Sequence, residues 1–241
     1  MRHATKLMRA YLTRFIFRAL VLLYAAAMFI ARREALDFTG SAPFPRPVDV
    51  LWLILAISFA RQLSPHSRVS RGCLKQFPVH FEPTAAPVDP QLFRAHLRRL
   101  DRGAAGVALV WIAFNLVFFA LYLLGILGVP FLVLLTAFYY VCDLICVLFY
   151  CPFQSLLMKN KCCATCRIFA WGTIMIATPL IFVPHLWSWS LAALALVCTV
   201  LWEAAYRRHP ERFAEETNVY LTCEHCTDKL CAIKRRGASH P

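Results

Sequence analysis

Two Cys-x2-Cys pairs, Cys163/Cys166 and Cys223/Cys226, are the residues of this chain whose type and spacing point most directly to chemistry. A tight turn aims both sulfurs of such a pair at one ion, and two pairs supply the four thiolates that close a tetrahedral zinc site at about 2.3 Å. Three more thiols crowd the same stretches: Cys151 and Cys162 in CPFQSLLMKNKCCATCR, and Cys231 in CEHCTDKLC. One zinc ion leaves these three over. Iron–sulfur clusters also take four cysteines each, so seven thiols furnish one full site and part of a second, completed by His209, His225 or a partner. The spacing C-x10-C-C-x2-C nevertheless matches neither common ferredoxin pattern. Without a metal, the same residues read as reactive dithiols or as juxtamembrane cysteines open to palmitoylation.

Whether the pairs meet depends on the elements that carry them. The chain is 60% hydrophobic and 16% charged with a mean hydropathy of +0.57, whereas a soluble domain has roughly 25% charged residues. A lipid bilayer is therefore its expected partner. Apolar runs predict spans at residues 15–31, 48–63, 104–128, 131–150, 168–186 and 188–206. The second run is short for a hydrocarbon core of roughly 30 Å, given a rise of about 1.5 Å per residue. Charge decides the matter. If that run crosses, 23 of the 26 Lys and Arg share one side and only Arg32, Arg33 and Arg46 face the other. If it does not, the five basic residues before residue 19 oppose the remaining eighteen. Cytoplasmic loops accumulate Lys and Arg, so the expectation is a multi-pass protein of the cell membrane with both termini cytosolic. The first run ends in FIARREALD without a small-residue cleavage pattern, and is expected to be a retained helix.

The predicted fold is thus an all-α polytopic membrane helix bundle of about six transmembrane helices over residues 1–206, with a small cysteine-rich cytosolic cap from the tail at 207–241. The cytosolic loop 62–103 divides in two. Its first part is turn-rich and expected to pack little, leaving Cys73 and His80 incidental. Its second part predicts a basic amphipathic helix over about 89–102 on the membrane surface, capped by Asp89 with Pro90 in the first helical position, with a solvated lead-in to the third span as the alternative. Pro210 is expected to open a short helix, ERFAEETN. The hairpin of the last two spans then returns residues 223–231 to the side of residues 151–167. That is the reducing side, where clustered thiols bind metal more readily than they form disulfides.

Inside the bilayer, Asp143 is the carboxylate that demands a role, because an ionisable group there is costly. Tyr139, Asp143, Cys146 and Tyr150 share a helix face, and Asn115 lies at similar depth on the preceding span. An Asn115–Asp143 hydrogen bond joining the two spans is one expectation, and a proton or ion path the other. Arg18, early in the first run, is expected to snorkel. Cys142, Cys146 and Cys198 read as packing, and Glu203 is given no role. Basic residues flank apolar spans instead of gathering on a folded face, which argues against nucleic acid as a partner. No nucleophile–base pattern or phosphate-binding glycine loop is present. The expected function is a membrane anchor or assembly platform with structural zinc for a cytosolic or membrane protein partner. An electron-transfer subunit carrying iron–sulfur clusters and a small transporter using Asp143 are the alternatives.

Overall fold

The computed structural model describes residues 6–40, 46–64, 71–85, 87–160 and 162–226. Cys231 lies outside them. Among the described residues the chain is all-helical, with one isolated bridge, Pro83–Asn218, and no strand. Seven α-helices run in order: α1 Lys6–Ala31, α2 Pro47–Ala60, α3 Arg71–Leu74, α4 Pro90–Leu123, α5 Val129–Leu148, α6 Gly172–Ile181 and α7 Leu186–Arg208.

Four of them, α1, α4, α5 and α7, are long and apolar enough to cross a membrane. The other two predicted spans are short helices, as expected for α2 and shorter than expected for α6. At 14 residues α2 is about 21 Å long, and at 10 residues α6 is about 15 Å, against a core of roughly 30 Å. Proline and 3-10 turns set these limits. Pro47 opens α2 and a 3-10 turn at Arg61–Leu63 closes it. A 3-10 turn at Phe169–Trp171 precedes α6, Pro179 sits inside it and Pro184 follows it.

Side-chain contacts fix the direction of each segment. Phe15 of α1 meets Phe149 just past α5, and Phe29 at the far end of α1 meets Phe131 at the start of α5. Trp52, early in α2, donates to Ser190 early in α7, and Phe59 late in α2 accepts from Cys198. The start of α1 and the finish of α5 and α7 therefore share one end of the bundle, which we call the thiol end. The core lies among α2, α5, α6 and α7, around Val48, Leu55, Leu132, Leu180, Leu191 and Ala195. At the opposite end, α4 turns into α5 through Gly125, whose φ of +71° is the left-handed conformation that glycine adopts without strain.

Three local expectations are corrected. The basic segment 89–102 is no separate surface helix: Asp89 accepts from Gln91 N at 2.7 Å as the cap of a single 34-residue helix that runs unbroken into the apolar span. Gly103 lies within that helix, where α4 approaches Met158. The segment ERFAEETN forms a 3-10 turn at Pro210–Arg212 followed by further turns. Thr217 donates to Glu211 O at 2.6 Å and Asn218 to Arg212 O at 2.9 Å, side-chain bonds that compete with a helical ladder. The loop after α2 does pack. Val219 N donates to Glu82 O at 2.9 Å, Thr84 to Glu216 O at 2.7 Å, and the His80 ring meets Tyr220 edge-on.

Candidate functional site

The Cys151–Arg167 stretch is held on the thiol end by two buried cations from different causes. Lys75 follows α3, and its Nζ donates to Ala164 O at 2.8 Å and Cys166 O at 2.7 Å. The Trp202 and Phe213 rings lie 5.2 and 5.3 Å away, so an ammonium loses its water to two carbonyls and two π-faces. Burial lowers its pKa to about 8, even though the neighbouring Cys166 and Cys73 thiols pull it upward. Arg167 is the second. It forms a two-pronged pair with Glu203 of α7 at 2.6 and 2.5 Å, touches Asp101 of α4 at 3.4 Å and stacks 3.7 Å from the Tyr206 ring centre. Burial works against the Arg167 charge, but the Glu203 hydrogen bonds and charge outweigh it and raise the pKa. Trp171 also donates to Glu203 at 2.8 Å. Glu203, expected to have no role, thus anchors the Arg167 end of the stretch.

Beneath that cap a cavity of about 250 Å³ opens among α4, α5 and α6. Aromatic and aliphatic side chains make its walls, notably Trp111, Phe114, Phe138 and Phe153. Five thiols line it: Cys142 and Cys146 from α5, then Cys151, Cys163 and Cys166. The thioether of Met175 on α6 lines it too. Gln154 ties two segments together, donating its N–H to Cys151 Sγ at 3.4 Å and accepting from Cys163 Sγ at 3.0 Å through Oε1. Cys166 is buried, and burial pushes its thiol up to about 11 despite the opposing charge of Lys75. Helical spacing places Cys142 and Cys146 on one face with Tyr139, but only the path of residues 151–166 turns that face into a cavity wall.

The predicted metal ligands differ in their surroundings. Cys163 and Cys166 line the cavity, whereas Cys223 is exposed and Cys226 half-buried. Among the described residues no three His, Cys, Asp or Glu side chains form a group able to hold a metal ion. Cys162 is half-buried, and Cys198 packs against Phe59 as expected. All ten described cysteines are thiols.

Asp143 also reaches the cavity, with a partner other than the expected one. Arg18 of α1 donates to Asp143 Oδ2 at 2.6 Å and to Tyr140 O at 2.7 Å, with its guanidinium 4.0 Å from the Tyr140 ring centre. Arg18 therefore turns inward instead of snorkelling. The other carboxylate oxygen lies against Gly172, where any Cβ would collide with it. Asn115 is buried separately: it donates to Trp111 O at 2.9 Å and accepts from Tyr139 OH at 3.2 Å. The Asn115–Asp143 bond is thus replaced by two contacts, Asn115 with Tyr139 and Asp143 with Arg18. Sequence spacing had supplied the depth of each group but not its azimuth.

Comparison of the chain with protein-family models, curated proteins and solved structures finds no match. Its chemistry is read from its own geometry.

Proposed function

We propose that this multi-pass membrane protein takes a thiophilic metal ion in the cavity at its thiol end, where Cys146, Cys151, Cys163 and Cys166 line the wall without forming a ready-made ligand group and would close on the ion as it binds. One observation carries the reading: thiols from α5, from the segment after it and from the CCATC turn line the same cavity. Soft sulfur donors select zinc, monovalent copper and iron–sulfur centres over hard cations. In this reading α2 and α6 complete six passes in alternating direction, both termini are cytosolic, and the thiol end faces the reducing compartment. The cap built from residues 71–85, 151–171 and 209–226 is then a folded cytosolic surface, suited to a membrane anchor or assembly platform for a cytosolic partner. Asp143 serves as a tether of α1 to α5 through Arg18, in preference to a transport path.

Protein purified anaerobically in detergent is expected to contain about one metal ion per chain by elemental analysis. Cys146→Ser with Cys151→Ser should remove it, and Cys223→Ser with Cys226→Ser should leave it. Acid-labile sulfide with a brown colour would assign the thiols to an iron–sulfur cluster, the electron-transfer alternative. Metal-free wild-type protein, or metal lost only with the tail cysteines, would overturn the proposal.

A further inference from the structure

We propose that the outer face of α4 binds an anionic phospholipid of the leaflet at the thiol end, with its phosphate on Arg98 and Arg102 and its acyl chains along the apolar stripe of the same helix. This site is independent of the metal reading and needs only that α4 crosses the bilayer. At about 1.5 Å per residue the 34 residues of α4 run about 51 Å, well beyond a hydrocarbon core of roughly 30 Å. The basic end is the one that projects. Arg94, Arg98, Arg99 and Arg102 all precede the apolar run that starts after Gly103.

The two faces of the projecting segment carry charge differently. On the inner face Leu97 packs against the cluster of Trp202, Tyr206 and Phe213, and Leu100 and Ala104 pack with Met158 and Ile168. Charges turned to the cap are matched there. Asp101, the one carboxylate between Pro90 and Gly103, meets Arg167 at 3.4 Å, and His96 meets Glu216 at 3.6 Å. Arg94, Arg98, Arg99 and Arg102 are exposed, and among the described residues none of them pairs with a carboxylate. Helical spacing aligns Arg98 and Arg102 with Ala105, Leu109, Ile112 and Leu116, all exposed, in one continuous stripe. Acyl chains lying against Leu109, Ile112 and Leu116 therefore bring their phosphate to the level of the two guanidinium groups. Ala105 has little bulk and Gly106 has open space around it, which leaves room for the ester region between them. A guanidinium fork meets phosphate oxygens with two parallel hydrogen bonds, so the pairing is directional as well as electrostatic. Arg94 lies about 12 Å beyond Arg102 along the helix, further than the screening length of about 8 Å at physiological salt. A soluble acidic partner would use Arg94 as fully as Arg102, whereas a lipid would not.

The test titrates the full chain, purified in mild detergent, with dioleoyl phosphatidylglycerol or dioleoyl phosphatidylcholine and reads retained lipid per chain by native mass spectrometry. Phosphatidylglycerol should be retained in preference to phosphatidylcholine. Arg98→Gln with Arg102→Gln should weaken its retention about 30-fold, at about fivefold for each basic residue near the headgroups, and should leave phosphatidylcholine unaffected. Ala105→Trp keeps every charge and fills the space below Arg102, so it should weaken phosphatidylglycerol as well. Arg94→Gln should change little. Equal retention of the two lipids would overturn the inference, and so would a loss in Arg94→Gln as large as in Arg102→Gln, because net charge alone would then govern. Soluble polyglutamate that displaces the phosphatidylglycerol, and whose own binding falls equally with each of the four arginines, would overturn it in favour of an acidic protein segment.

Discussion

The two Cys-x2-Cys pairs share a local conformation and differ in almost everything else. In each, the backbone N–H of the second cysteine donates to the carbonyl of the first, at 3.0 Å for Cys166 to Cys163 and 3.3 Å for Cys226 to Cys223. The first pair is tucked between Lys75 and the cavity, and the second lies on the tail, where His225 shares a 3.0 Å hydrogen bond with Thr222. A short spacing fixes a turn. Burial is decided by residues remote in sequence, in this case Lys75, Asp101 and Glu203, which no spacing rule connects to the thiols.

The sharpest way to break that contrast is to remove the cation that pins the first pair. Arg167→Ala leaves Glu203 without its partner beneath the cap, and losing one member of a buried pair costs about 3–5 kcal/mol. Thermal unfolding in detergent should fall accordingly, and Cys166 should become open to maleimide, as Cys223 already is. If Cys166 stays protected in a destabilised Arg167→Ala protein, the cation is not what separates the pairs. Gly172→Val comes next. Its side chain would meet the Asp143 carboxylate, and overpacking of this kind costs about 1–3 kcal/mol. Combining it with Asp143→Ala should recover much of the loss, because the two positions touch and so should couple in a double-mutant cycle.

Much of this was legible in the sequence, with a clear boundary. Long apolar runs identified α1, α4, α5 and α7, and Asp89-Pro90 located the start of α4 to the residue. The shortness of α2 was expected, whereas the apolar run predicted over 168–186 is helical in α form only from Gly172 to Ile181, between the 3-10 turn at Phe169–Trp171 and Pro184. Charged residues were misread. Arg18 and Glu203 sit near span ends, where snorkelling is the default, yet each found a partner remote in sequence, Asp143 at 125 residues' separation and Arg167 at 36. Periodicity placed Asp143 and Cys146 on one face of α5. It held no information on which helix would lie opposite, so the cavity, Gln154 and Met175 were invisible until the segments were packed.

Lys75 offers a smaller and reversible perturbation. Its pKa falls from 10.5 to about 8 on folding, so between those values the unfolded chain binds more protons than the folded one, and stability rises with pH. At about 1.4 kcal/mol per unit, the gain between pH 8 and 10 is on the order of 1–3 kcal/mol. Below pH 8 both states are protonated and the contribution is flat. Unfolding midpoints measured across this range should climb in the wild type and lose that climb in Lys75→Met, which fills the same space without a proton to release. A wild-type profile that falls instead would mean that the ammonium form is the one the cap requires.

The smallest effects test whether the tail pair matters to the fold at all. Cys223 is exposed, and surface substitutions usually stay within about 0.5 kcal/mol, so Cys223→Ser should leave the unfolding midpoint where it was. Cys166→Ser puts a hydroxyl among Leu100, Ala104, Val107 and Ile168, where burying a polar group without a good partner costs about 1–3 kcal/mol. Labelling rates give the same contrast without mutation. With its pKa pushed up to about 11, Cys166 is only about one part in a thousand thiolate at pH 8, and the thiolate is the reactive form. Maleimide followed by peptide mapping should therefore modify Cys223 well before Cys166. Equal rates would show that the cap opens faster than it reacts, and the distinction between the two pairs would then be one of sequence position only.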